Sequence, residues 1–453
     1  MSAAEAEDRG NAGLAGIRRA LSLAGTGVTV TGRVVRAAGV IVEAALPRVP
    51  LGTQVEIRVE GGGLLLAEVV GIRGSNALLL PFGDLRGVGE GCQVIPRSSA
   101  AEVPVGDALL GRVVDPLVRP IDGGPALQLK KKVPLHATPP VAMQRRRISR
   151  PFITGVRAID GALTLGEGQR VAILAGPGVG KSVLLGMLAR TAEADVVVVG
   201  LIGERGREVR EFVERDLGEG LKRTVVVVAT GDEPPLLRVR AATAATALAE
   251  QVRSEGKRVL LLIDSLSRVA MAQREVGLAA GEPPTSKGYP PSVFAQLPRL
   301  VERAGNDAGP GSITALYTVL AEGDDLSDPV ADAVRAALDG HLVLSRQLAE
   351  SGHFPAIDVL QSVSRVMTDV VAPPHLQAAR LMRELMAAHR QASDLIDVGA
   401  YSPGANPRVD RALKVLPAVR RFLQQGPLDP RGELPATVAA LRAALELKEG
   451  DRA

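Results

Sequence analysis

Residues 175–182 read AGPGVGKS, set between an unbroken apolar run, RVAILA (170–175), and a helix-forming stretch, VLLGMLART (183–191). Small residues in such a loop let backbone N–H groups close around an anion at the positive end of the following helix. Lys181 is then placed to reach β/γ-phosphoryl oxygens, and the Ser182 hydroxyl to ligate Mg²⁺. The nucleotide-contacting candidates are Gly176, Gly178, Val179, Gly180, Lys181, Ser182 and Val183. The pattern departs from G-x-x-x-x-G-K-[ST] at its first position, where Ala175 replaces glycine; alanine is tolerated there provided the residue needs no positive φ.

The loop sits inside a longer rhythm. Apolar runs DVVVVGL, TVVVVAT, RVLLLID, SITALYTVL and HLVLSR alternate with helical stretches such as AATAATALAEQVRSEG and DPVADAVRAALDG. Continuous rather than alternating apolar strands indicate a parallel sheet covered on both faces, hence an α/β domain. Upstream, VTVTGRVVR, GVIVEA, QVEIRVE, LLLAEVVGI and NALLLP are short, alternating and separated by glycine-rich turns, which predicts a small antiparallel β-barrel. Beyond about residue 370 strand signals stop and amphipathic helices run on. The expected domains are an arm over 1–25, a barrel over 26–99, the α/β domain with a leading linker over 100–369 and a C-terminal helical domain over 370–453. Residues 1–25 read equally as an arm that orders on a partner or as a frayed terminus. The linker's basic clusters, Lys130–Lys132 and Arg145–Arg147, read as solvated loop charge, with a direct binding role as the alternative.

Two further strand ends carry acids. RVLLLID closes on Asp264, placed either to hold the Mg²⁺ hydration shell through water or to cap a loop on the surface. DVVVVGLIGER ends with Glu204 and Arg205, a carboxylate able to orient or deprotonate a water and a cation able to meet phosphoryl oxygens. On its own, GER reads more readily as an exposed helix start.

Composition removes other classes. A single cysteine, Cys92, rules out an internal disulfide, and five scattered histidines offer no zinc-ligand spacing. Net charge is +4, far from a nucleic-acid-binding excess. No apolar run reaches the ~18 residues of a membrane span, and residues 1–25 lack a signal-like apolar core. These features lead to an expectation of a cytoplasmic protein.

The segments GERGRE, LLIDSLSR, GYPPSVFAQLPRLVERAG, GSITALYTVLAEGDDLSDPVADAVRAALDGHLVLSR and HFPAIDVLQSVSRVM resemble the rotary-ATPase catalytic core. Together with LLGRVVDPLVRPIDG and GVRAIDGALTLGEGQRVAILAGPGVGKSVLLG they are most similar to the type III secretion and flagellar export ATPases, over roughly residues 26–425. Ala175 is shared with that branch. The resemblance implies a RecA-like P-loop core between the barrel and the C-terminal helices, and ATP and Mg²⁺ as substrate and cofactor. It makes Lys181 and Ser182 the phosphate and Mg²⁺ contacts, Glu204 the catalytic carboxylate, Arg205 a γ-phosphate contact and Asp264 the strand-end acid. Arg268 matches an arginine near the phosphates, and Arg365 the arginine finger that reaches the neighbouring subunit's nucleotide. Phe354 matches the aromatic that stacks on adenine, with Phe422 completing that pocket.

In the resembling ATP synthases the catalytic carboxylate and the finger lie on different chains. This chain carries both Glu204 and Arg365, so identical copies can complete every interface, and a homohexamer is expected rather than an ATP synthase catalytic subunit. An RNA-translocating hexamer would need aromatic stacking in its barrel; the first aromatic here is Phe82. A scaffold that had lost hydrolysis would lack Glu204 or Arg365. The family further implies a place at the cytoplasmic face of the bacterial inner membrane under an export gate, releasing chaperones and unfolding export substrates. Its implied partners are a stator-like regulator, a central stalk protein and chaperone–substrate complexes. The motifs are common to injectisome and flagellar systems and do not choose between them.

Overall fold

Alternation shapes the N-terminal unit. In β3 (Gln54–Arg58) Val55 and Ile57 are fully buried while the residues between them are not. Val42 and Ala44 do the same in β2 (Ile41–Ala45), as do Ala67 and Val69 in β4 (Leu64–Arg73). With β1 (Gly32–Ala38), β5 (Asn76–Pro81) and β6 (Gln93–Ser98) these strands close an antiparallel barrel in the order β1-β2-β5-β4-β3-β6. Closure leaves no strand edge to protect. The runs read from the sequence give five strands; the sixth, QVIPRS, contains Pro96 and has little alternation, yet it pairs with both β1 and β3. Phe82 is buried. The structure, a computed structural model, describes residues 31–46, 49–98, 101–320 and 328–447; the arm expected over 1–25 lies outside the described residues.

Residues from Glu102 onward form a second compact unit. Two small antiparallel pairs, β7 (Glu102–Val105) with β9 (Lys131–Pro134) and β10 (Pro151–Phe152) with β11 (Leu165–Gly166), accompany its main sheet. That sheet contains β8 (Val113–Val114), β12 (Arg170–Ala175), β13 (Val196–Glu204), β14 (Thr224–Thr230), β15 (Arg258–Asp264), β16 (Gly305–Asn306), β17 (Ser312–Leu320), β18 (Gly340–Leu344) and β19 (Val363–Ser364). The order is β19-β18-β12-β17-β15-β13-β14-β8, parallel from β18 to β8, with β19 antiparallel at the edge and β16 antiparallel to β17. Val196–Ile202 and Val259–Asp264 are buried at every position, so both faces of these strands are covered, as their continuous apolarity predicts. β8 comes from the linker; two residues are too few to carry a periodic signal.

The helices Pro373–Asp397, Pro407–Leu423 and Leu434–Ala444 follow. Each has proline in its first turn, where no N–H is needed. Met382, Leu385, Val415, Val419 and Leu441 belong to the same apolar cluster as Ile173 and Val199 of the sheet. His375 meets the Gly161 carbonyl through Nε2 at 2.8 Å.

The structure corrects the reading of Arg145 as solvated charge, while Arg146 is exposed yet hydrogen-bonded. Arg145 donates to the Ala304 carbonyl at 2.9 Å and pairs with Glu302 at 3.1 Å. Arg146 donates to the Pro310 and Gly311 carbonyls at 2.9 and 2.8 Å. Both tie the linker to the segment between the helix Pro291–Glu302 and β17. Lys132 lies 3.7 Å from Glu102 across the β7–β9 pair, and Arg147 lies 3.7 Å from Asp369.

Candidate active site

The sheet order sets β12, β17, β15 and β13 side by side, so the loop after Ala175, Asp264 and Glu204 emerge from the carboxyl ends of strands within one half of the sheet. Open parallel sheets bind ligands at that edge. Ala175 is an ordinary strand residue paired with Leu320 and Leu344, and its φ is not positive; alanine there costs nothing. The loop's unusual backbone falls instead on Gly178 (φ 79°) and Gly180 (φ 86°), where side chains are disfavoured. Gly180 caps the helix Lys181–Thr191, whose first-turn N–H groups have no helical acceptor. Ser182 is exposed on that turn, while Val179 is buried beneath the loop.

Lys181 bridges the two acids. Its Nζ lies 2.6 Å from Asp264 Oδ1 and 3.2 Å from Glu204 Oε1. Burial works against the ammonium charge, but the carboxylates of Asp264 and Glu204 outweigh it and hold Lys181 above the usual lysine range. The same Asp264 oxygen accepts a hydrogen bond from Thr318 Oγ1 at 2.6 Å. Thr318 was not singled out from the sequence; the signal was a hydroxyl near the carboxyl end of a buried strand.

Arg268 stands beside these groups. Gly203 has φ 74°, and a Cβ on it would lie 2.9 Å from Arg268 Cβ, so glycine makes room for the arginine. Arg268 Nε is buried with no hydrogen-bond partner among the described residues. An unmatched buried donor is costly, and an anionic ligand would satisfy it.

Phe354 is 45% exposed, and a Cβ on Gly180 would lie 3.4 Å from its Cε1, so the ring borders the loop. Its carbonyl accepts the Gln425 N–H at 2.9 Å. Gln425 is itself buried; its Oε1 accepts the Arg157 N–H and its Nε2 donates to the Gly155 carbonyl, both at 2.8 Å. Sequence reasoning passed over this tether between the C-terminal helices and the loop's aromatic, because a glutamine after FLQ carries no motif.

Three candidates stand elsewhere. Phe422 is only 6% exposed and packs on Gly161, where an added Cβ would lie 2.6 Å from its Cζ. The ring fills the core, while its carbonyl accepts from Arg157 Nε at 3.1 Å. Arg205 is turned outward, its side chain 76% exposed and 4.0 Å from Glu208. Arg365 is exposed at the end of β19, and its guanidinium makes no hydrogen bond or ion pair with a described residue.

The domains resemble those of known proteins. The profile of the ATP synthase alpha/beta family, nucleotide-binding domain, matches residues 155–364; that of the same family's beta-barrel domain matches 30–97; and that of the T3SS EscN ATPase C-terminal domain matches 371–443. A flagellum-specific ATP synthase of Pseudomonas aeruginosa is 50% identical over 437 residues, 95% of this chain and 96% of its own length. The chain belongs to the type III secretion and flagellar export ATPases. Another such ATPase, the type 3 secretion system ATPase of Xanthomonas euvesicatoria, is 53% identical over 396 residues, 87% of this chain and 89% of its own. The solved structure of the assembled ATPase EscN with its central stalk EscO, from the type III secretion system of enteropathogenic E. coli, superposes with a TM-score of 0.85 at 45% identity. It covers 91% of this chain and 100% of that one. The barrel, the parallel-sheet core and the C-terminal helices are thus the family's architecture. No described helix of this export ATPase is long and apolar enough to cross a membrane.

Proposed function

We propose that this chain hydrolyses ATP at sites shared between adjacent copies of a homohexamer, and that hydrolysis drives type III protein export at the cytoplasmic face of the inner membrane. The observation that carries this is the Lys181 bridge: a loop cation held between two strand-end carboxylates, 2.6 and 3.2 Å away. Triphosphate at the loop offers Lys181 a denser negative charge, which frees both acids. Glu204 then accepts a proton from the attacking water. The hard oxygen donors of Ser182 and Asp264 fit Mg²⁺, which keeps most of its waters and prefers such ligands, and Asp264 already accommodates a cation at its Oδ1. When bound, Mg²⁺ supplies charge neutralisation on the phosphoryl oxygens. Arg268, with its unmatched buried donor, faces the developing anion, and Phe354 takes the base.

Arg365, exposed and without a side-chain partner among the described residues, supports a finger acting on the neighbouring copy. Relatives support the remaining parts: EscN was solved as an assembly with a central stalk, and the curated relatives are flagellar and type 3 secretion ATPases. By that likeness a stalk protein, a stator-like regulator, the export gate and chaperone–substrate complexes are the partners.

The test is complementation. Lys181→Ala and Arg365→Ala each give rings that turn over at least ~10³-fold more slowly, and Arg365→Ala subunits still bind ATP. Mixing the two, after subunit exchange is verified, creates interfaces with an intact loop and an intact finger, and part of the activity returns. Normal hydrolysis by assembled Arg365→Ala rings refutes the shared site.

A further inference from the structure

The segment that presents Arg365 has little structure of its own. β19 is two residues long and pairs only with β18, at Gly340 and His341, and the Arg365 N–H donates to the Asp339 carbonyl at 3.1 Å. Its preceding loop, residues 358–362, is joined to β18 by the Asp358 N–H on the Val343 carbonyl at 2.8 Å, the Val343 N–H on Ser362 Oγ at 2.9 Å and His341 Nε2 against the Gln361 carbonyl at 2.9 Å, and its remaining carbonyls need donors from elsewhere. They come from the C-terminal helix Pro373–Asp397. Arg383 donates to the carbonyls of Val359 at 2.5 Å, Ser362 at 3.0 Å and Leu360 at 3.4 Å. Seven residues on, and so on the same helix face, Arg390 donates to Asp358 Oδ2 at 2.7 Å. Asp358 in turn accepts the Leu360 and Gln361 N–H groups at 2.9 and 3.1 Å, which makes the loop a tight turn held between β18 and the C-terminal helix.

We propose that Arg383 is a positioning residue for Arg365: its guanidinium holds the loop that aims the finger, and the C-terminal helix thereby sets how well a subunit serves its neighbour's site. This rests on the reading of Arg365 as a finger in trans. Among the described residues the Arg383 guanidinium donates to residues 359–362 and not to the phosphate loop. The planar fork is what reaches three carbonyls in four residues; lysine, a point donor on a flexible stem, does not reproduce it. A finger displaced by an ångström loses most of its effect, since catalytic geometry tolerates little error. Arg383 therefore acts on the neighbour's turnover and leaves its own subunit's nucleotide binding alone.

The experiment uses full-length assembled protein and three readouts. Arg383→Ala lowers kcat about ten- to a hundredfold with KM for ATP unchanged. In an Arg365→Ala background the same change produces no further loss of single-turnover rate, because there is no finger left to aim. Mixed with Lys181→Ala subunits, which carry an intact Arg383 and Arg365, Arg383→Ala subunits recover turnover at their own phosphate sites. If Arg383→Ala fails to assemble, Arg383→Lys keeps the charge and the helix and is expected to show the same pattern at smaller amplitude. Equal losses with and without Arg365, or no recovery on mixing, make Arg383 a general structural residue and overturn the proposal. Wild-type turnover by assembled Arg383→Ala rings overturns it too. Wild-type turnover by Arg365→Ala rings overturns instead the finger reading beneath it; inactive Arg365→Ala beside fully active Arg383→Ala removes only this proposal.

Discussion

Phe354 and Phe422 are both phenylalanines that the family's pattern assigns to the adenine pocket, and the structure separates them. Phe354 is 45% exposed and borders Gly180 of the loop. Removing its ring uncovers little core, so stability is nearly unchanged, while stacking on a nucleobase is worth about 1–3 kcal/mol. At 1.4 kcal/mol per factor of ten, Phe354→Ala raises KM for ATP by roughly 5- to 150-fold with kcat retained. Phe354→Trp keeps the stacking face and restores most of the affinity. Phe422 is 6% exposed and fills the space over Gly161. Truncation of such a core ring costs about 3–5 kcal/mol of stability. Phe422→Ala therefore lowers the denaturation midpoint, while molecules that remain folded keep the wild-type KM. The assay is steady-state hydrolysis against ATP concentration beside urea unfolding of each variant. An unchanged KM in Phe354→Ala, or a raised KM in Phe422→Ala at wild-type stability, shows the reasoning from burial to be wrong.

Glu204→Gln keeps nearly the same shape and loses the base; nucleotide binding persists while turnover falls by about 10²–10⁴, measured by fluorescent-nucleotide titration beside phosphate release. Thr318→Val deletes the 2.6 Å hydrogen bond to Asp264 Oδ1 without changing side-chain volume much. A hydrogen bond to a charged group is worth about 1.5–3 kcal/mol, so the Mg²⁺ concentration for half-maximal activity rises roughly ten- to a hundredfold and activity at saturating Mg²⁺ is largely kept. An unchanged Mg²⁺ dependence removes Thr318 from the site.

What the chain determines locally could be read directly. The phosphate loop, the both-faces-buried strands and the barrel's alternation depend on neighbours within a few residues, because a strand's covering and a loop's φ angles are written in its own side chains. Asp264 and Glu204 were legible for the same reason: each closes an apolar run. Contacts between distant residues were not. Thr318 meets Asp264 across 54 residues, and Gln425 reaches Gly155 across 270; each such residue looks like any polar side chain until the sheet order and the C-terminal helices bring its partner within 3 Å. Burial likewise separated Phe422 from Phe354, although the family pattern treats the two alike. Arg145 read as loose charge because its acceptors, the Ala304 carbonyl and the Glu302 carboxylate among them, lie more than 150 residues away. Sequence determined which groups can do the chemistry; the tertiary fold decided which of them are aimed, since aim depends on hydrogen bonds that close only when remote segments are already packed.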